Sequence, residues 1–316
     1  MHFIVRETHD GVLLRSFLRG TCAVSSRMLT RLKQTPGGIR VNGVPVTVRC
    51  RLKTGDDVEI AEQDTVSQNL FPPEETPLRV LYEDENVLLV SKPPFMPTHP
   101  SRRHYSDTLA NALSGLFDKR NEPFVFRPVN RLDRNTSGIV MLAKDQWTAG
   151  RLCRSMKEHN IRKTYLAVTD GIPSPSSGRM DGWIRRRTPG IVIRELCDEH
   201  AEGAESVRTA YEVLASGSGH ALVRLFPETG RTHQLRVQLA GIGCPVTGDG
   251  LYGTDSEFLP RQALHAAAMD WVHPKTGETF RTEDPLPEDM ADLCRKWFPD
   301  VEDFASVSSG RSISSN

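Results

Sequence analysis

A polar stretch carrying Pro72, Pro73 and Pro77, from Gln63 to Pro77, breaks this chain into two unequal parts, because no helix or central strand runs through such a composition. At 316 residues the chain can hold two cores, since one core typically serves roughly 100 to 200 residues. The division predicts a small module over residues 1–61, a linker over 62–77, a body over 78–303 and a Ser-rich tail over 304–316. The tail has no periodic apolar face and is expected to be disordered. No internal repeat is present, which argues against a solenoid.

The formal net charge is zero, an average that hides an asymmetry. Residues 1–61 hold ten lysines and arginines against five acids, whereas eight acids between Glu283 and Asp303 face only Arg295 and Lys296. A basic module on a neutral body suggests local phosphate contact. No apolar run approaches the roughly 18 residues of a membrane span, and the N-terminus lacks the order of a signal peptide. A cytoplasmic protein that does not meet a membrane is expected. The six cysteines form no C-x-x-C pair and have no histidine at zinc spacing, so neither a disulfide framework nor a metal site is expected.

In the module, Ser25 to Lys33 places Met28, Leu29 and Leu32 on one helical face and Arg27, Arg31 and Lys33 elsewhere, with Ser25 or Ser26 as cap. Asn42-Gly43 follows as a hairpin signal, because both central positions of that turn need positive φ. Leu52 to Ile60 adds a turn and a strand. This order resembles the S4 family of small RNA-binding modules, through Ser26-Arg27, Val41-Asn42-Gly43 and Gly55-Asp56. The resemblance implies an α/β module whose Arg27, Arg31 and Lys33 contact RNA.

The body alternates strands and helices with few regular βαβ units, which favours α+β with a mixed, largely antiparallel sheet. Ile139 to Ala143 reads as a buried strand. The loop feeding it, Arg131 to Gly138, holds Asp133 between two arginines, and loops on a rigid scaffold are where catalytic groups concentrate. A second stretch, Glu228 to Val237, has Gly230 for a tight turn, Thr232 placed to cap a helix, and Leu235 and Leu239 facing the core. Arg231 at that helix start makes an anion site for an RNA phosphate or for Asp133. A third, Lys163 to Ala167, sets Tyr165 on a short strand.

These three stretches in this order resemble the RluA-like family of RNA pseudouridine synthases, from about Leu78 to His273. Arg131-Leu132-Asp133 with Thr136-Ser137-Gly138, the K-x-Y tyrosine at Tyr165 and Gly230 to Arg236 carry the likeness, supported by Lys92-Pro93, Gly248-Asp249 and Leu264-His265-Ala266. Asn130 stands where many members have His, and Gln238 where His is common. The resemblance implies a catalytic domain of pseudouridine-synthase type that breaks the N1–C1′ bond of a uridine in RNA and rejoins the base through C5. Asp133 is then the essential carboxylate, attacking C1′ or removing a sugar proton, with Arg231 favouring its ionised form. Tyr165 stacks on the uracil and takes the C5 proton. Arg131 or Arg134 fills the gap left by the flipped base or holds phosphate. Neither a cofactor nor a metal is expected. The expected partner is structured RNA, ribosomal or transfer, met by a monomer. Two rivals are a hydrolase pairing Asp133 with Glu228 and a non-catalytic S4-containing RNA-binding or assembly factor.

Overall fold

The computed structural model describes residues 1–61, 71–101, 104–299 and 301. The expected tail and most of the linker lie outside the described residues.

The module consists of β1 (His2–Ile4), α1 (Leu14–Gly20), α2 (Ser26–Gln34), β2 (Ile39–Val41), β3 (Val44–Pro45) and β4 (Asp57–Ile60), with its four strands in the order β1-β4-β2-β3. Ser25 caps α2 by accepting from the Met28 amide at 3.1 Å. Asn42 and Gly43 have φ of 51° and 79°, the turn that their sequence demands. Leu14, Phe17 and Leu18 of α1 and Met28, Leu29 and Leu32 of α2 pack on Val41, Val58 and Ile60.

The body comprises β5 (Arg79–Glu83), β6 (Val87–Lys92), α3 (Leu109–Lys119), β7 (Ser137–Ala143), α4 (Gln146–Lys157), β8 (Arg162–Asp170), β9 (Ser177–Arg186), β10 (Arg194–Cys197), β11 (Glu205–Gly217), β12 (His220–Pro227), α5 (Gln234–Gly241), β13 (Leu264–Val272), β14 (Thr279–Glu283) and α6 (Glu288–Trp297). Its sheet runs β10-β9-β11-β12-β8-β13-β7-β6-β5, with β14 added to β13. All named pairs are antiparallel except β7 with β13, which run parallel over His265↔Ser137 and Ala266↔Gly138. The α+β expectation is met.

Every residue of β7 is buried because both faces of the sheet are covered. Val140 and Leu142 point to the side of Leu109, Leu113 and Phe117 of α3. Ile139 and Met141 point to the side of Leu152 of α4 and Trp271 of β13.

Two contacts tie in segments that composition alone leaves loose. Residues 71–77 of the expected linker lie along α3, where Ser114 donates to the Phe71 carbonyl at 3.0 Å and Asn111 to that of Pro72 at 2.9 Å. The module is seated on α4. Trp147 is buried in the module's own core and donates to the Cys22 carbonyl at 3.0 Å, while Arg154 donates to the Gly20 and Arg19 carbonyls, both at 2.6 Å.

Candidate active site

The approach to Asp133 is built as a fork. Beyond Gly138, β13 leaves β7, and residues 127–130 take its place: Ala143 donates to the Arg127 carbonyl at 3.0 Å and the Val129 amide to that of Met141 at 2.8 Å. Asn130 completes this zipper with its side chain, accepting from the Met141 amide at 2.8 Å and donating to the Ile139 carbonyl at 3.1 Å. Its amide therefore does the work of a backbone peptide. Asp133 emerges where the two arms part.

The loop is pinned from below. Thr98 bonds both the carbonyl and the amide of Leu132, at 2.9 and 3.2 Å. The Lys92 ammonium, fully buried, donates to the carbonyls of Pro93, Met96 and Arg134 at 2.8, 2.8 and 3.1 Å. Burial pushes its pKa down to about 7, against the upward pull of Asp133.

Asp133 lies between a cleft of about 310 Å³ and a wider groove of about 820 Å³. Tyr165, Lys163, Arg231, His233 and Arg236 line the smaller one. The arginine on Asp133 is Arg236, at 3.3 Å, and not Arg231, which reaches away to Glu205 at 2.9 Å. The reason is local. Thr232 does not cap α5; the helix begins at Gln234 after His233, held at φ 57°. Arg231 is thereby left in the turn, while Arg236 points inward from the first helical turn. The turn is shaped by Gln234, whose side-chain oxygen accepts from the Arg231 amide at 3.0 Å and from Thr229 at 2.9 Å.

Arg236 is in turn fixed by Asp249, a fully buried carboxylate that it grips with two bonds of 2.6 Å. Burial works against its charge, but the bonds to Asp249 outweigh this and raise its pKa. His233 stands 3.9 Å from Asp133 through Nε2 and bonds the Tyr252 hydroxyl through Nδ1 at 2.8 Å. The Tyr252 oxygen also accepts from the Arg194 amide at 2.8 Å, which fixes the ring that holds the imidazole in place. Burial lowers the pKa of His233, with Asp133 opposing. Tyr165 is buried on β8, and burial followed by the Asp133 charge raises its pKa, so the phenol stays protonated.

Arg131 and Arg134 are exposed beside Asp133, Arg134 donating to the Phe95 carbonyl at 3.2 Å. On the module, Arg27 and Lys33 are exposed, whereas Arg31 is half-buried and faces the junction with the body alongside Trp147. Glu228 bonds Arg179 at 2.8 Å and Arg208 at 3.3 Å and does not line the cleft, so the paired carboxylates of a hydrolase are not assembled. Gln238 joins α5 to the sheet, accepting from Thr209 at 2.7 Å and donating to the Met180 carbonyl. Among the described residues, the one cluster of potential metal ligands, His2, Asp57 and Glu59, lies on the module.

Asp249, Tyr252, Lys92 and Thr98 were not singled out as site residues by the sequence. Lys92 and Asp249 entered the sequence reading as parts of supporting motifs without a role, and the i, i+3 spacing of His233 and Arg236 hints that both address one point.

The sequence description of the RNA pseudouridylate synthases matches residues 86–241. The uncharacterized RNA pseudouridine synthase YjbO of Bacillus subtilis is 36% identical over 87% of this chain and 96% of its own length. Ribosomal large subunit pseudouridine synthase D of Xanthomonas campestris is 33% identical over 81% of this chain and 80% of its own. The solved structure of human RNA pseudouridylate synthase domain containing 1 is 29% identical, with a TM-score of 0.56 over 70% of this chain and 89% of that one. Likeness of this depth, spanning most of both chains and carried on the same fold, settles the family: this chain belongs to the RNA pseudouridine synthases, which isomerise uridine within RNA.

Proposed function

We propose that Asp133 is the essential carboxylate of this isomerisation, acting on the ribose of a uridine that has left its stack and entered the cleft beside Tyr165. The observation that carries the reading is the placement of Asp133 at the fork of β7, in a cleft shared with Tyr165 and in contact with Arg236. Arg236 orients the carboxylate, and Asp249 keeps Arg236 from turning away. Tyr165 stacks on the base as a neutral phenol and takes the C5 proton once the C5–C1′ bond has formed, giving up its own phenolic proton in the same exchange, so that it ends neutral while N1 gains a proton. The N1–C1′ bond is broken, C5–C1′ is formed, and no atom is gained or lost.

The S4-like module is the proposed RNA grip, through exposed Arg27 and Lys33 with a salt-dependent, sequence-independent contribution. Arg131 and Arg134 flank the mouth of the cleft and hold the backbone around the flipped nucleotide. The proposed substrate is structured RNA in the cytoplasm, met by a monomer. Large-subunit ribosomal RNA is the candidate favoured by the name of the Xanthomonas relative.

The test is a pseudouridine map of cellular RNA with the gene present, deleted, or carrying Asp133→Asn. Loss of the same ribosomal pseudouridines in the last two strains is the expected result. Unchanged pseudouridine with Asp133→Asn overturns the role of Asp133, free uracil points to hydrolysis, and loss confined to transfer RNA redirects the substrate.

A further inference from the structure

Breaking the N1–C1′ bond leaves both bonding electrons on the uracil, and the charge spreads over N1, O2 and O4. This holds whether Asp133 attacks C1′ or removes a sugar proton. A group placed to meet that charge accelerates the step, because the charge exists only once the bond is breaking.

The cations around the cleft differ in their commitments. Arg236 is bound to Asp249 and Asp133, and Arg231 to Glu205. Arg131 is exposed to solvent. Lys163 lies two residues before Tyr165 on β8, hence on the same face of the strand, and both side chains line the 310 Å³ cleft. Its Nζ lies against the Gly230 turn, where a Cβ would come within 3.5 Å of it. Among the described residues this ammonium has neither a hydrogen bond nor a carboxylate partner. Burial alone acts on it and pushes its pKa down to about 8. Lys163 is half-buried and reaches solvent through the cleft it lines, so its donors have no protein acceptor and are available to whatever enters there; unmet donors of this kind concentrate where a ligand supplies what is missing.

We propose that Lys163 is a catalytic residue whose ammonium donates to a uracil carbonyl oxygen and stabilises the uracil anion released from C1′, holding the base while it turns to present C5. The inference rests on the reading that the cleft beside Asp133 receives the uridine. Lys163 stays charged throughout: the electron pair leaves with N1, C5 later attacks C1′, the C5 proton departs and N1 gains one. An ammonium with three donors on a flexible stem can follow a carbonyl through the turn, which a planar guanidinium does less well.

The experiment compares single-turnover consumption of the target nucleoside in RNA carrying uridine or 5-fluorouridine at the modified position, for wild type, Lys163→Met, Lys163→Arg and Asp133→Asn. Fluorine withdraws electron density and makes the base a better leaving group, so cleavage depends less on the lysine. Lys163→Met is expected to slow uridine consumption about 100-fold at unchanged RNA affinity, to lose about tenfold or less on 5-fluorouridine, and to be largely rescued by Lys163→Arg. A rate for Lys163→Met within about threefold of wild type on uridine, or an equal loss on both substrates, overturns the proposal. Full activity of Asp133→Asn would instead overturn the placement of the site, and the proposal with it. Lys163→Met removes an unpartnered charge, so it should melt no lower than wild type; Lys163→Gln provides a second uncharged variant for the same comparison.

Discussion

At the scale of single residues, the two arginines of one short motif have opposite weights. Arg236 holds the fully buried Asp249 and touches Asp133, so Arg236→Met strands a buried carboxylate and should cost about 3–5 kcal/mol. Arg231 pairs with Glu205 at the surface, and Arg231→Met should cost less than about 1 kcal/mol. Urea unfolding of the two variants checks the difference, and similar losses would contradict the assignment of Arg236 as the fixed member. The motif was legible in the sequence as a motif, but the choice between its arginines was not. That choice depends on where α5 begins, and the start is set by the left-handed His233 and the Gln234 side chain rather than by Thr232. Asn130 is a parallel case. Its amide makes two bonds to β7, so Asn130→Ala leaves a backbone donor and acceptor unpaired, at a cost of about 1–3 kcal/mol. A histidine can also donate through one ring nitrogen and accept through the other; Asn130→His should therefore retain stability where Asn130→Ala does not, as read from the same unfolding curves.

At the scale of elements, the apolar runs announced their strands well, since β7 is buried on both faces and a run of five hydrophobic residues has few other uses. What the runs could not announce is the neighbour each strand would take. Gly138 sits at φ 116° where β7 meets β13, and a Cβ there would fall 2.3 Å from the Ala266 carbonyl. The glycine of Thr136-Ser137-Gly138 thus serves a close backbone approach, and Gly138→Ala should fail to give soluble enzyme or should lower the melting temperature by about 3–6 degrees, the equivalent of about 2–3 kcal/mol in a chain of this length. The same junction contains His265, buried, bonded to Ser137 at 3.0 Å and to the Asp284 carbonyl at 2.9 Å. Burial, with Arg261 and Arg79 adding to it, lowers its pKa from 6.5 to about 3. Between those two values the unfolded chain binds the proton and the folded one does not, so stability present above pH 6.5 is lost as pH falls towards 3. Unfolding free energies at pH 7.5 and about pH 5 should therefore fall more for wild type than for His265→Gln; an equal fall would exclude His265 as the source.

At the scale of the whole molecule, composition suggested a division into module and body but gave no sign that the two are in contact. The seat is made of backbone carbonyls at residues 19–22 and of Trp147, Arg151 and Arg154, and backbone acceptors leave no trace in side-chain patterning. Trp147→Ala combined with Arg154→Ala should release the module, seen as a larger radius of gyration in small-angle scattering, with conversion of a short RNA substrate preserved. A radius unchanged from wild type would show that other contacts hold the seat. The parallel pairing of β7 with β13 has a further consequence. Strands β5 to β7 form one antiparallel set and β8 to β12 another, and β13 alone borders both. Asp133 comes from the first set; Tyr165 and Arg236 come from the second. A nascent chain therefore owns every group of the site well before it owns the site, and activity should appear on the ribosome only after Val272 has cleared the exit tunnel, making catalysis itself a timer for the completion of folding.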